Sequence, residues 1–151
     1  MAQEIERKFL VTSLDFKKEA STFFKISQGY ISRKPERTVR VRIIGSSAYL
    51  TIKGKSSDSG VSRFEWEMQI SLDDAKELMK ICEPGIIEKT RYIIPLAGSD
   101  LKYEVDEFHG RHEGLIIAEI ELLSESQEFT KLAWLGQEVT GNPSYYNGQL
   151  K

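Results

Sequence analysis

Charged side chains recur at a spacing of two along much of the chain: Glu4/Glu6, Arg40/Arg42, Lys53/Lys55, Glu65/Glu67, Lys89/Arg91, Glu104/Asp106 and Glu119/Glu121. In an extended strand residues i and i+2 share a face about 6.6 Å apart, so each pair sets two like charges side by side. They repel by roughly 0.6 kcal/mol in water but by about 2.5 kcal/mol at an effective dielectric of 20. On a wet sheet face such pairs are cheap, and for any one pair that is the simpler reading. Turned inward they call for bound ions of opposite sign: divalent cations for the carboxylates, a polyanion for the basic pairs. The chain has no Cys/His cluster of metal-ligand spacing, so hard oxygen ligands favour Mg²⁺, Mn²⁺ or Ca²⁺ over zinc. A bore that takes a hard metal and a multiply charged anion suits phosphoryl transfer.

Strands must position these pairs, because the residues flanking them are apolar on the opposite parity: Ile5 and Phe9; Val39, Val41 and Ile43; Phe64, Trp66 and Met68; Val105; Ala118, Ile120 and Leu122. Alternation predicts eight strands, at Gln3–Val11, Phe23–Ser32, Arg37–Ile44, Ala48–Gly54, Val61–Ile70, Ile86–Pro95, Leu101–His109 and Leu115–Leu123. Tight connections at Gly45-Ser46-Ser47, Ser56–Gly60 and Gly110–Gly114 read as hairpins. Leu72, Ala75, Leu78, Met79 and Cys82 fall at helical spacing behind a Ser71/Asp74 capping pair. A second helix is expected after Ser124, with Gln127 as box partner and Phe129, Leu132, Ala133 and Leu135 as its stripe. Ser13–Ser21 is a weaker third, and the tail from Gly141 reads as loop. The expected fold is therefore an all-β-dominated α+β domain spanning residues 1–151: an eight-stranded antiparallel closed β-barrel with a few short helices packed outside.

Composition bounds the rest. The chain has 151 residues, with 21 Lys+Arg against 23 Asp+Glu, a net charge of −2 and 40% hydrophobic residues. One ordinary core is expected, and neither a disordered polyelectrolyte nor a disulfide-stapled miniprotein fits. The lone Cys82 and the lack of a signal-like N-terminus make the cytoplasm the expected location, with no membrane segment and no nucleic-acid partner. Gly54-Lys55-Ser56 mimics the end of a P-loop, but Tyr49 stands where the first glycine belongs. His109 and His112 flank a hairpin turn, and Cys82, Trp66 and Trp134 read as packing residues. Tyr30 follows Gly29 in the second strand and suits the core and the site equally.

Glu4-Ile5-Glu6-Arg7-Lys8 resembles the E-x-E-x-K signature that opens the CYTH superfamily. These triphosphate tunnel metalloenzymes include class IV adenylate cyclases, thiamine triphosphatases and inorganic tripolyphosphatases. The resemblance continues in order through Arg40-x-Arg42, Lys53, Glu65-x-Glu67, Lys89-x-Arg91, Asp106 and Glu119-x-Glu121, and it is strongest to the short bacterial tripolyphosphatase-like members. It implies an eight-stranded tunnel open at both ends, holding a linear triphosphate and one or two Mg²⁺ or Mn²⁺ ions. Carried over by position, Lys8, Arg40, Arg42, Lys53 and Arg91 bind phosphate oxygens, with Lys89 a sixth. Glu4, Glu6, Glu119 and Glu121 are the implied metal ligands. Asp106, Glu65 and Glu67 complete a second metal site or orient water.

The expected reaction is displacement of pyrophosphate from the terminal phosphorus by an in-line water, with Lys89 or a carboxylate such as Glu65 or Glu67 as base. Inorganic tripolyphosphate is the preferred substrate, since a chain this short leaves little outside the barrel to recognise a base or thiazole. A cyclase or a thiamine or nucleoside triphosphatase would use the same bore, and a non-catalytic polyphosphate- or nucleotide-binding module would bind without turnover. Homodimerisation is left open. A lipocalin-like carrier has the same strand count but the opposite parity, with Val39, Val41, Phe64 and Trp66 turned inward.

Overall fold

The computed structural model describes residues 3–150. Among these, nine strands make one sheet: β1 (Gln3–Val11), β2 (Thr22–Ser32), β3 (Arg37–Ile44), β4 (Ser47–Ser56), β5 (Ser62–Ile70), β6 (Ile87–Pro95), β7 (Lys102–Phe108), β8 (Ile116–Glu121) and β9 (Leu135–Glu138). Their order is β5-β4-β3-β2-β6-β7-β8-β1-β9, and β5 pairs again with β1. The first eight strands therefore close into an antiparallel barrel, leaving β9 attached outside the ring. Closure rests on few contacts, namely Gln3↔Phe64, Glu4↔Arg63 and Ile5↔Ser62, plus the Glu6 N–H donating to the Val61 carbonyl at 2.9 Å. From Phe9 onward that edge of β1 pairs with β9 instead.

Parity places the apolar residues outside. Phe9, Tyr103, Val105, Ala118 and Ile120 form the largest core cluster on the barrel's outer face, where Phe16 of α1 (Phe16–Glu19) and Trp134 cover them. A smaller cluster pairs Val41 and Ala48 with Ala75 of α2 (Leu72–Lys80). The Ser71 hydroxyl caps α2 by accepting from the Asp74 amide at 3.0 Å. No helix among the described residues is long and apolar enough to cross a membrane. One stretch of outer face stays bare: Phe64, Trp66 and Met68 on β5 remain 49%, 41% and 48% exposed. Trp66 is thus not the packing residue its alternation suggested, whereas Trp134, at 1% exposure, is.

The helix expected after Ser124 does not form. Its start is there, with the Gln127 side chain accepting from the Leu123 amide at 2.6 Å. The residues beyond it serve tertiary packing. The Phe129 ring meets Phe9 and Tyr103 edge-on, the Tyr103 hydroxyl donates to the Thr130 carbonyl, and the Trp134 indole donates to Glu19. Leu135 then pairs with Val11 as the start of β9. A short helix gains too little from propensity to outweigh such contacts.

The expectation of a bore open at both ends meets an obstruction at one of them. Inside the barrel, Tyr30, Ile87, Phe108 and Ile117 form an apolar layer that Leu150 completes. The chain arrives there through two 3-10 turns, Pro143–Tyr145 and Asn147–Gln149. Arg33 anchors it, donating to the carbonyls of Gly148 and Leu150 at 2.9 and 2.8 Å and to those of Pro84 and Gly85. Residues 143–150 thus floor the bore on the side of this apolar layer.

Candidate active site

Above that floor lies a cavity of about 240 Å³. Its wall carries Glu4, Glu6 and Lys8 from β1, Arg40 and Arg42 from β3, Lys53 from β4, Glu65 and Glu67 from β5, Arg91 from β6, and Glu119 and Glu121 from β8. Strand alternation thus brings eleven residues named from the sequence into one chamber and turns Val39, Val41, Phe64 and Trp66 away from it. That arrangement excludes the apolar carrier. Glu67, Glu104 and Glu65 keep 43%, 30% and 28% side-chain exposure and mark the side open to solvent.

Two expected site residues lie elsewhere. Lys89 and Asp106 are sealed beneath the wall at 0% and 1% side-chain exposure and do not line the cavity. Asp106 accepts from Lys89 Nζ at 2.7 Å and from Arg91 Nε and Nη2 at 2.7 and 2.9 Å. Both of its oxygens accept from cations, and the carboxylate is turned to these basic groups rather than to the cavity. Lys89 also donates to Asn147 Oδ1 at 2.9 Å. One of its three N–H bonds remains unassigned.

Like charges do not simply crowd, as the spacing-two pairs alone suggested, because neighbouring strands interleave acid with base. Lys53 Nζ is 2.9 Å from both oxygens of Glu4, Lys8 is 2.9 Å from Glu119, and Arg40 is 3.6 Å from Glu67. These pairs hold Glu4 and Glu119 below the usual carboxylate range despite burial, through Lys53 and through Lys8 and Arg91 respectively.

The neutralisation is incomplete, and in opposite senses on two sides. Around β8, β1 and β5, the five carboxylates Glu4, Glu6, Glu65, Glu119 and Glu121 outnumber the three cations set among them, Lys8, Lys53 and Arg63. Burial and the neighbouring Glu119 push the Glu6 carboxyl up to about 8. Burial and Glu4 raise Glu65, and burial with Glu4 and Glu65 raises Glu121. At the floor the excess is positive, with Arg42, Lys89 and Arg91 surrounding Asp106 while Glu104 reaches Arg91 only at 3.5 Å. Burial lowers the proton affinity of Lys89, and Arg91 and Arg42 lower it further against the pull of Asp106. Arg42 is likewise depressed by burial and by Arg40 and Arg91.

Buried donors without partners suit an anionic ligand. Among the described residues, Arg33, Arg40 and Arg63 have a buried Nε with no hydrogen-bond acceptor, and two of these side chains, Arg40 and Arg63, line the cavity. An unpaired buried donor is costly, and an anion would satisfy both. Arg63 was not singled out in the sequence, yet it shares parity with Glu65 and Glu67, so extending that run by one step would have found it. Tyr30, Thr51, Tyr146 and Asn147 also face the chamber. Thr51 and Asn147 carry no charge signal, and nothing in local pattern places Asn147 beneath a barrel.

A metal fits the acidic side by donor chemistry. No three acidic, His or Cys side chains among the described residues are gathered into a ready-made cage. Burial and neighbouring carboxylates nevertheless raise Glu6, Glu65 and Glu121, a crowding that a cation would relieve, and all-oxygen donors match hard divalent ions.

Comparison with known proteins agrees with this geometry. Residues 2–146 match the CYTH domain family. The chain is 44% identical over 151 residues to an inorganic triphosphatase of Acetivibrio thermocellus, covering 99% of this chain and 94% of that protein. It is 36% identical over 150 residues to an inorganic triphosphatase of Nitrosomonas europaea, covering 97% and 95%. A crystal structure of an inorganic triphosphatase superposes with a TM-score of 0.65 at 32% identity, covering 97% of this chain and 95% of that one. A barrel whose inner face carries the E-x-E-x-K and paired-charge pattern, together with these matches along nearly all of its length, makes this chain a member of the CYTH domain family.

Proposed function

We propose that the protein is a metal-dependent hydrolase of linear triphosphates, with inorganic tripolyphosphate as substrate. The observation that carries this is the separation of charge within one small chamber: carboxylates in excess on one side, cations in excess at the blind end. A short polyanion at the floor and divalent cations at the acidic wall relieve both excesses together. The relatives named inorganic triphosphatase support the same reading. The volume of about 240 Å³ falls below the ~300–1,000 Å³ of pockets that enclose drug-sized ligands, which suits a bare triphosphate better than one carrying a nucleoside.

In this reading Lys8, Arg40, Arg42, Lys53 and Arg91 bind phosphate oxygens, and the orphaned donor of Arg63 adds a further contact. Arginine forks grip phosphate bidentately, while the lysines act as movable charges. Glu4, Glu6, Glu119 and Glu121 would hold Mg²⁺ or Mn²⁺, as one or two ions. Such an ion supplies charge neutralisation at phosphoryl oxygens when bound. Asp106 leaves the metal set and fixes Arg91 and Lys89. The terminal phosphate lies against the floor, where Arg42 and Arg91 meet it; Lys89, sealed beneath the wall, positions Arg91 through Asp106, and the proton of the attacking water passes to a carboxylate of the chamber. Glu65 and Glu67 orient groups nearer the open side. The whole chain acts as one domain in the cytoplasm, without nucleic-acid or membrane partners. A homodimer would use the bare Phe64–Trp66–Met68 surface.

The test is phosphate release from tripolyphosphate, ATP, thiamine triphosphate and pyrophosphate, with and without Mg²⁺ or Mn²⁺, with cyclic AMP assayed in the ATP arm. Tripolyphosphate should be turned over fastest and only with metal. Glu4→Ala, Glu6→Ala or Glu119→Ala should abolish metal-dependent turnover, whereas Arg40→Ala should chiefly weaken binding. Unchanged rates in all four variants, or cyclic AMP as the main product, would overturn the proposal.

A further inference from the structure

The blind end is assembled around one uncharged group. Asn147 Oδ1 accepts from Lys89 Nζ at 2.9 Å and from Gln28 Nε2 at 3.2 Å. Both partners are donors, which fixes the carboxamide with its oxygen toward them. Each then leads to an arginine of the cavity wall. Lys89 shares Asp106 with Arg91, and Gln28 Oε1 accepts from Arg42 Nε at 2.9 Å. Gln28 is fully buried, so no water competes for these bonds.

Asn147 is itself held in place. Arg33 grips the carbonyls on either side of Gln149, and the Gln149 side chain donates back to the Arg33 carbonyl at 2.8 Å. Leu150 is packed into the apolar layer below. The stretch that matches the family ends at residue 146, one position earlier.

We infer that Asn147 is a positioning residue for the substrate, a neutral joint that locks Arg42 and Arg91 into a single phosphate cradle from beneath. The inference rests on the phosphate-binding reading above. Three cations packed around one carboxylate repel one another, and their side chains keep one geometry only if something uncharged ties them together. A carboxylate at this position would cancel part of the positive charge that the anion needs. A carboxamide supplies the acceptor without that loss.

Binding of tripolyphosphate to the full chain, measured by calorimetry without metal so that turnover plays no part, tests this directly. Asn147→Leu removes the acceptor at similar volume, and Asn147→Ser is a second variant that leaves room for water. Each should weaken binding about 10- to 100-fold, the range expected for losing a hydrogen bond to a charged relay. In an Arg42→Ala background the effect of Asn147→Leu should shrink at least threefold, because the two residues act in series. Equal effects in both backgrounds, binding within twofold of wild type for both variants, or failure of both to fold would each overturn the inference. A wild-type chain that does not bind tripolyphosphate would instead remove the phosphate-binding reading, and this inference with it.

Discussion

Glu6 shows how a single side chain reports the state of the whole cavity. It keeps its proton up to about pH 8 in the folded chain, against an ordinary value of 4.5. Between those values the folded state binds more protons than the unfolded one, so this group's contribution to stability is fully present at the acidic end and is lost as pH rises through about 8. In metal-free buffer the urea midpoint should therefore fall from about pH 5.5 to about pH 8.5, and Glu6→Gln should flatten that slope. A midpoint that rises over this window would show that Glu6 is not crowded. Glu4 and Glu119, held low by their lysines, act in the opposite sense but only toward acid pH. Arg63 gives the complementary reading: Arg63→Ala should weaken tripolyphosphate binding about 10-fold, consistent with a charge-assisted contact, with a smaller effect on the melting temperature, since the side chain gives up one hydrogen bond to Thr38 and its approach to the Tyr146 ring while its Nε has no partner to lose.

At the scale of elements, strand parity was the most legible part of the sequence, because a period of two leaves no freedom once one face is charged. Lys8, Arg42, Glu67 and Glu121 needed only that rule to be placed on the inner face. What local pattern could not supply was who covers the outside. Phe129, Leu132 and Leu135 have helical spacing, but the pull of Phe9 and Tyr103 and of the free edge of β1 made them an irregular cover and a ninth strand. Trp66 has the same alternation as Ala118 and Ile120, yet among the described residues no element covers it. The β4–β5 connection adds a constraint invisible in sequence. A Cβ on Gly60, whose φ is +77°, would lie 2.2 Å from the Gly141 Cα. Gly60→Ala should thus cost at least ~1–2 kcal/mol from backbone strain alone, seen as a lower urea midpoint, and should disturb the approach of residues 139–146 to the site. No change in midpoint would mean the two turns separate freely.

For the molecule as a whole, the floor decides how a substrate enters. With Tyr30, Ile87, Phe108, Ile117 and Leu150 packed across one end, a phosphate chain should enter tip first from the side marked by Glu65, Glu67 and Glu104. Linear tripolyphosphate should be hydrolysed, while cyclic trimetaphosphate, which has no tip, should resist under identical conditions; comparable rates for the two would show a second entrance. The eight-strand ring could be inferred from sequence, but this dead end could not. It depends on a distant loop docking through Arg33, a contact that no periodicity encodes. The segregated charge has a thermodynamic corollary. Because the acidic wall repels a naked phosphate chain and the basic floor repels a lone cation, each ligand should raise the other's affinity by the same factor. Turnover should then fall when polyanion exceeds cation, as the surplus sequesters the cation in solution. Such a catalyst responds to a ratio as much as to a concentration.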